Sequence, residues 1–207
     1  PERLEDILGQ EGAVGRNSFL YRMIEKDTIP SILLFGPPGC GKTTIAIEVK
    51  KRLQERGIEV KILQLDEIRR VITPEPKYTE EERDIVYASL AYMGKILAEE
   101  NKNVIIDATA NRRRYRDLAR QLIPNFAEVF IRAPLEVCMD REERRNAVFS
   151  PKDIYKKAGR KNALVPGVNV AYEEPISPEI EVDSAVSSPL ESSSYIADRI
   201  AELYGSA

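Results

Sequence analysis

Four short apolar runs punctuate the chain, at residues 31–35, 58–65, 103–107 and 127–131. Each has strand length and is largely hydrophobic, which is how a strand within a sheet reads. Between them lie longer stretches, Thr43–Arg56, Glu80–Glu100 and Arg112–Leu122, that read as helices. Strand and helix in alternation predict a mostly parallel sheet with helices on both faces, a three-layer α/β fold. Residues 1–30 read as a helical or coil preface. The span 146–180 reads as irregular, with Pro151, Pro166, Pro175 and Pro178. Residues 184–194, rich in serine, read as a linker or loose loop. Beyond it, Ile196, Ile200 and Leu203 fall at helical spacing within Tyr195–Tyr204 and predict a docking helix with no chemical role. The pattern therefore divides the chain into a preface (1–30), a main domain (31–183) and a linker with a terminal helix (184–207).

One stretch gives this pattern a chemistry. Gly36-Pro-Pro-Gly-Cys-Gly-Lys-Thr43 fits the phosphate-binding pattern G-x-x-x-x-G-K-[ST], and it lies between a predicted strand and a predicted helix. Glycines at 36, 39 and 41 let successive backbone N–H groups turn inward onto a polyphosphate, and the helix N-terminus adds partial positive charge. Lys42 can reach the β- and γ-phosphates. The hydroxyl of Thr43 can hold Mg²⁺. Gly36, Gly39, Cys40, Gly41, Lys42, Thr43 and Thr44 are thus the expected contacts to ATP. The pattern makes the main domain a P-loop nucleotide-binding fold.

In such sheets ligands bind outside the C-terminal ends of the strands. Asp66 closes the run Val60-Lys-Ile-Leu-Gln-Leu65 and could accept a substrate proton or hold Mg²⁺. It could equally be the first-turn acid of a surface helix. Asp107 ends Asn103-Val-Ile-Ile106, an arrangement that can orient Mg²⁺. Arg69 and Arg70 follow Asp66, and four arginines occur within the five residues Arg112–Arg116. Arginine suits bidentate recognition of phosphate or sulfate. One helix cannot aim all four inward. Arg112 comes first and is the candidate anion contact, against the alternative of a solvated face. Arg141, Arg144 and Arg145 fit a lid that carries positive charge onto the phosphates, or else helical ion pairs with Glu142 and Glu143.

The 207 residues suit one domain with a small appendage, and 43% hydrophobic residues suffice for a sizeable core. A net charge of −3 gives no reason to expect nucleic acid as a partner. The chain has no histidine, so proton transfer would fall to carboxylate, lysine, tyrosine or water. Phosphoryl transfer needs positioning and charge neutralisation more than a strong base, and tolerates that absence. The two cysteines, Cys40 and Cys138, lie far apart in sequence and point to a reducing cytoplasm. No apolar run approaches the roughly 18 residues of a membrane span.

Residues 57–180 resemble adenylylsulfate kinases, which use ATP to phosphorylate the 3′-hydroxyl of adenosine 5′-phosphosulfate. The match is carried by Glu128-Val-Phe-Ile-Arg-Ala-Pro-Leu-Glu-Val-Cys-Met-Asp-Arg141, Ile154-Tyr-Lys-Lys-Ala158 and Tyr172-Glu-Glu-Pro175. Leu63–Arg69 resembles the family's aspartate–arginine motif, with Asp66 and Arg69 kept. Tyr78-Thr-Glu-Glu-Glu-Arg83 resembles a second motif, with Arg83 kept. The resemblance implies that Asp66 lies near the reacting hydroxyl and that Arg69 and Arg83 hold the phosphosulfate. The chain also departs from the family. Gln64 and Leu65 stand where the motif carries aspartate and glycine. Ala108-Thr-Ala-Asn-Arg112 stands for Ile-Ser-Pro-Tyr-Arg. Val165 stands for the aromatic residue that stacks on the substrate adenine. Stacking is worth about 1–3 kcal/mol per base, so the departures bear on the acceptor more than on ATP.

Pro1–Glu11 and Ile29–Thr43 resemble instead the start of an AAA+ ATPase of the clamp-loader and recombination-factor type, and this similarity covers about the first 46 residues. Nothing later matches that class. The expectation is therefore a small-molecule kinase of sulfate activation using ATP and Mg²⁺. Catalytic roles fall to Lys42, Asp66 and Asp107, metal contacts to Thr43, Asp66 and Asp107, nucleotide contact to Arg141, and acceptor contacts to Arg69, Arg83, Arg112 and Val165. The alternatives are an AAA+-type module, or a chimera that binds nucleotide without a small acceptor. The sequence leaves the oligomeric state open, including a homo-oligomer.

Overall fold

The computed structural model describes residues 29–144, 154–157 and 165–204. Nearly all of the preface, with its AAA+ resemblance, lies outside these residues, as does Arg145. Strands β1 (Ser31–Phe35), β2 (Val60–Gln64), β3 (Asn103–Ala108), β4 (Phe126–Arg132) and β5 (Ile180–Asp183) form one sheet in the order β2-β3-β1-β4-β5. Every pairing is parallel. Helices α1 (Lys42–Glu55) and α7 (Pro189–Tyr204) cover one face. Helices α2 (Leu65–Ile72), α3 (Glu80–Glu99) and α4 (Arg113–Leu122) cover the other. Helix α5 (Leu135–Arg144) and the single turn α6 (Ile154–Lys157) lie toward the phosphate loop.

Successive residues of β1 serve opposite cores. Ile32 and Leu34 meet Ile45, Val49 and Leu53 of α1 and Ile196 and Ile200 of α7. Leu33 and Phe35 meet Val86, Leu90 and Tyr115 of α3 and α4. This is why the central strands are apolar without alternation. A Cβ at Gly94 would lie 2.9 Å from Ile123 Cδ1, so this position brings α3 close against its neighbours.

The structure differs from the sequence expectation at three places. Strand β2 ends at Gln64 and the chain enters α2 directly at Leu65. Asp66 therefore sits in the first turn of a helix, where a carboxylate suits the helix dipole. A fifth strand, β5, was not anticipated. It has four residues, of which Ile180 and Val182 are buried and Glu181 is exposed, a signal too short to separate from loop. Helix α7 opens at Pro189, inside the stretch read as a linker. Ser188 Oγ accepts from Glu191 N (3.2 Å), and Glu191 Oε2 accepts from Ser188 N (2.8 Å). This is a reciprocal capping box, with proline at the first helical position. Ser193 is buried and receives Arg52 Nε of α1 at 2.8 Å.

Candidate active site

Between β1 and α1 the loop Gly36–Gly41 folds at the carboxyl edge of the sheet. Gly41 takes a left-handed conformation (φ 86°) as the N-cap of α1, and Gly39 does the same (φ 82°). A Cβ at Gly36 would lie 2.2 Å from Ile131 O, and one at Gly39 would lie 2.3 Å from Cys138 O. Two of the glycines are thus fixed by close backbone packing and one by conformation. No side chain caps α1, so its first N–H groups remain available to an anion.

The outward side of the loop is fastened by residues far away in sequence. Tyr155 Oη of α6 donates to Pro38 O at 2.7 Å. Ser184 Oγ, just after β5, donates to Cys40 O at 2.7 Å. Arg141 of α5 donates through Nη1 and Nη2 to Ser184 Oγ (3.0 Å) and Ser184 O (2.7 Å), which brings its guanidinium beside Gly41. Cys40 and Cys138 are free thiols, both fully buried. Burial pushes the Cys40 thiol up and the Cys138 thiol up to about 11, so neither is a thiolate at neutral pH. Cys40 is a packing residue of the loop.

Asp107, 3% exposed, is the penultimate residue of β3, in register with Leu34 of β1 and Gln64 of β2. Its charge adds to the effect of burial in raising the Cys40 thiol. Among the described residues no group of three or more His, Cys, Asp or Glu could cage a metal. The donor set at the loop, the Thr43 hydroxyl and the Asp107 carboxylate, instead suits Mg²⁺ that keeps water and nucleotide oxygens in its shell.

Three of the residues expected on the acceptor side gather around Tyr78. Tyr78 adopts a left-handed conformation (φ 58°), unusual for a bulky side chain. Arg69 stacks over its ring, with the guanidinium carbon 5.0 Å from the centroid. Arg83 Nε donates to Tyr78 O at 3.1 Å. Burial raises the Tyr78 phenol, and the charges of Arg69, Asp66, Glu82 and Arg83 all reach it. Glu82 organises the group. Its carboxylate accepts from Arg69 Nη1 (2.9 Å), Lys77 N (2.6 Å) and Tyr78 N (3.2 Å), while Thr79 caps α3 by accepting from Glu82 N. Asp66, Arg69 and Arg83 are thus brought together, whereas Arg70 is exposed.

The other candidates are placed differently. Arg112 is held between Glu80 (2.8 Å) and Glu173 (3.1 Å), so its charge is already matched by two carboxylates. Arg114 pairs with Asp84 (2.6 Å), and Arg113 Nε donates to Glu174 O (3.0 Å). Arg116 is buried, lies over Phe35, and pairs with the buried Glu128 at 3.7 Å. Burial pulls the Arg116 guanidinium down and pushes the Glu128 carboxyl up, outweighing the opposite charges beside each. Val165 does not face the acceptor side. It is buried in the core cluster that contains Tyr155, Cys40 and Cys138, because an aliphatic side chain gains more there than at a wet cavity. From the same turn Asn169, Val170 and Ala171 line a cavity of about 230 Å³, with Tyr78, Arg83 and Asn111. Arg144 pairs with Asp140 at 2.6 Å rather than with Glu142 or Glu143.

The phosphate loop, Asp107 and the Tyr78 cluster all lie where β1, β3 and β2 end, on one edge of the sheet. The profile of the family described as adenylylsulphate kinase matches residues 29–183, which include the loop as well as the acceptor side. The chain belongs to the adenylylsulphate kinase family. Its relatives include a probable adenylyl-sulfate kinase of Pyrococcus abyssi, 36% identical over 84% of this chain and 95% of that protein. Another is an adenylyl-sulfate kinase of Rippkaea orientalis, 33% identical over 84% of this chain and 92% of the relative. Among solved structures, the APS kinase of Mycobacterium tuberculosis in complex with AMPPNP and APS superposes with a TM-score of 0.72 at 26% identity. That comparison covers 83% of this chain and 98% of the other. The fold is accordingly that of the P-loop kinases of this family.

The sequence reading assigned no role to Ser184, Tyr155 or Glu82. Ser184 and Tyr155 fasten the loop through single hydrogen bonds that no local pattern announces. Glu82 was visible as part of the Tyr78–Arg83 motif, and its position three residues after Thr79 is the signal of a capping residue.

Proposed function

We propose that the protein transfers the γ-phosphoryl group of ATP to the 3′-hydroxyl of adenosine 5′-phosphosulfate, in the cytoplasm. The observation that carries this reading is the opening of the phosphate loop and the Tyr78 cluster on one strand edge, in a chain of this family. In the reaction the bond between the γ-phosphorus and its bridging oxygen breaks and ADP leaves. A new bond forms from the substrate 3′-oxygen to phosphorus, and the hydroxyl proton passes to the Asp66 carboxylate.

The chain's own groups supply positioning and charge. The N–H groups of Gly36–Thr44 surround the phosphates, Lys42 meets the β- and γ-oxygens, and Arg141 approaches over Gly41. Thr43 and Asp107 would hold Mg²⁺, which supplies neutralisation of the developing phosphate charge. Arg69 and Arg83, desolvated around Tyr78, meet the phosphosulfate. We assign Arg112 to the pocket rim, where Glu80 and Glu173 fix it, rather than to direct anion contact.

Two buried free thiols and the absence, among the described residues, of a helix long and apolar enough to cross a membrane support the cytoplasmic placement. The test is ADP release from ATP and Mg²⁺ with and without adenosine 5′-phosphosulfate. Strong stimulation with formation of a 3′-phosphorylated product is expected. Hydrolysis indifferent to the acceptor would refute the reading.

A further inference from the structure

Tyr78 carries a hydroxyl that the proposed phosphoryl transfer has not used. The backbone of this residue is left-handed (φ 58°), which is unfavourable for a bulky side chain and persists only where the surroundings enforce it. Two residues of α3 enforce it here. Tyr78 N donates to Glu82 Oε1 at 3.2 Å, and Tyr78 O accepts from Arg83 Nε at 3.1 Å. The ring is held as well, because the Arg69 guanidinium lies over one of its faces and is itself paired with Glu82 at 2.9 Å. Three charged side chains thus set the direction of the phenol before any ligand arrives. Strain of this kind is found where a side chain has to be aimed.

The hydroxyl itself is left for a ligand. Both hydrogen bonds of Tyr78 run through its backbone, and among the described residues nothing bonds its Oη. Nor is that oxygen sealed in: Tyr78 is half-buried and, with Arg83, lines the cavity on the acceptor side. Burial raises the phenol, so at neutral pH it keeps its proton and can donate. Arg69 on its ring and Arg83 on its carbonyl are the two cations assigned above to the phosphosulfate. An anion that meets both lies alongside the Tyr78 side chain. Sulfate oxygens only accept hydrogen bonds, and a neutral O–H adds a bond to a charged oxygen without adding a third cation. We infer that the Tyr78 hydroxyl donates a hydrogen bond to the anionic end of the acceptor, making Tyr78 a specificity-determining residue for a phosphosulfate. The inference rests on the kinase reading above and deepens it.

The test is Tyr78→Phe in the full chain, which removes one oxygen and keeps the ring under Arg69. KM for adenosine 5′-phosphosulfate should rise by about tenfold or more, the effect of losing a hydrogen bond to a charged group, while KM for ATP stays within about twofold. The melting temperature should not change, because the hydroxyl holds nothing within the protein. Adenosine, which has no anionic end, should compete with the acceptor equally well in wild type and variant. An unchanged KM for the acceptor overturns the inference. A weakening of adenosine inhibition that matches the rise in KM overturns it too, since the hydroxyl would then serve the nucleoside. A parallel rise in both KM values with a lower melting temperature reduces Tyr78 to a structural role and overturns it as well. A wild type that transfers to no acceptor refutes the kinase reading itself, and the role of Tyr78 with it. Normal wild-type transfer, equalled by Tyr78→Phe, refutes the role of Tyr78 alone.

Discussion

The two halves of the active site are built from different materials. The donor half, Gly36–Thr44, is made of backbone. Its N–H groups are the proposed ligands, and Gly36 and Gly39 are required because Ile131 O and Cys138 O leave no room for a Cβ. The acceptor half is made of side chains, each held by another: Arg69 by Glu82, Arg112 by Glu80 and Glu173, Asn111 by Ala171. A backbone site repeats in any chain with the right glycines, and binds what all nucleotides share. A side-chain site can be retuned one residue at a time, and decides which acceptor enters.

This contrast can be broken most sharply at the donor half. Lys42→Ala should reduce phosphoryl transfer by at least about 10³-fold while thermal melting stays within a few degrees, because Lys42 meets ligand rather than core. Gly39→Ala should also abolish ATP binding, but with a large loss of stability, since its Cβ would sit 2.3 Å from Cys138 O at φ 82°. Equilibrium binding and melting curves together separate the two, and normal activity in either variant would remove the backbone account.

At the reacting hydroxyl, Asp66→Asn should cut kcat by about 10²–10⁴-fold with KM for ATP unchanged. Unchanged turnover would reduce Asp66 to a first-turn helix acid. A smaller effect is expected at Glu82, whose side chain is 14% exposed and whose partner Arg69 is 9% exposed. Glu82→Ala leaves that cation without its carboxylate and should cost about 3 kcal/mol in denaturant unfolding. It should raise KM for the acceptor and not for ATP; an equal rise in both would mean that the halves are not independent.

The smallest effect concerns acid. The backbone N–H of Arg113, then the guanidinium of Arg112, hold the Glu173 carboxyl below its ordinary range. The stabilisation is complete above the unfolded value of about 4.3 and is lost as pH falls through the lower folded value. Melting temperature should therefore drop less steeply below about pH 4 in Glu173→Gln than in the wild type. Parallel pH profiles would show that the clamp on Arg112 contributes nothing.

The same contrast explains what the sequence made legible. Strands β1, β3 and β4 are buried on both faces and so wrote themselves as continuous apolar runs. The phosphate loop was legible because its requirement is local: glycines at set spacings between a strand and a helix. Strand β5 was not, because its four residues gain their stability by pairing with β4. The capping box of α7 was present as Ser188-Pro-Leu-Glu191, but a serine-rich composition read as a linker concealed it. Asp66 and Arg69 were singled out from their motif, and both lie near Tyr78. The matched charges of Arg112 were hidden because Glu80 and Glu173 lie far off in sequence, and the burial of Val165 depends on a core assembled from several elements.

The fastening of the loop also sets an order in time. The glycine stretch leaves the ribosome well before the residues that fasten it. Its two outer carbonyls wait for Tyr155 and Ser184, which are made more than a hundred residues later. Its right-hand neighbour in the sheet, β4, likewise arrives long after β1. A nascent chain stalled before Ser184 would therefore carry the complete phosphate-binding motif and yet hold nucleotide weakly.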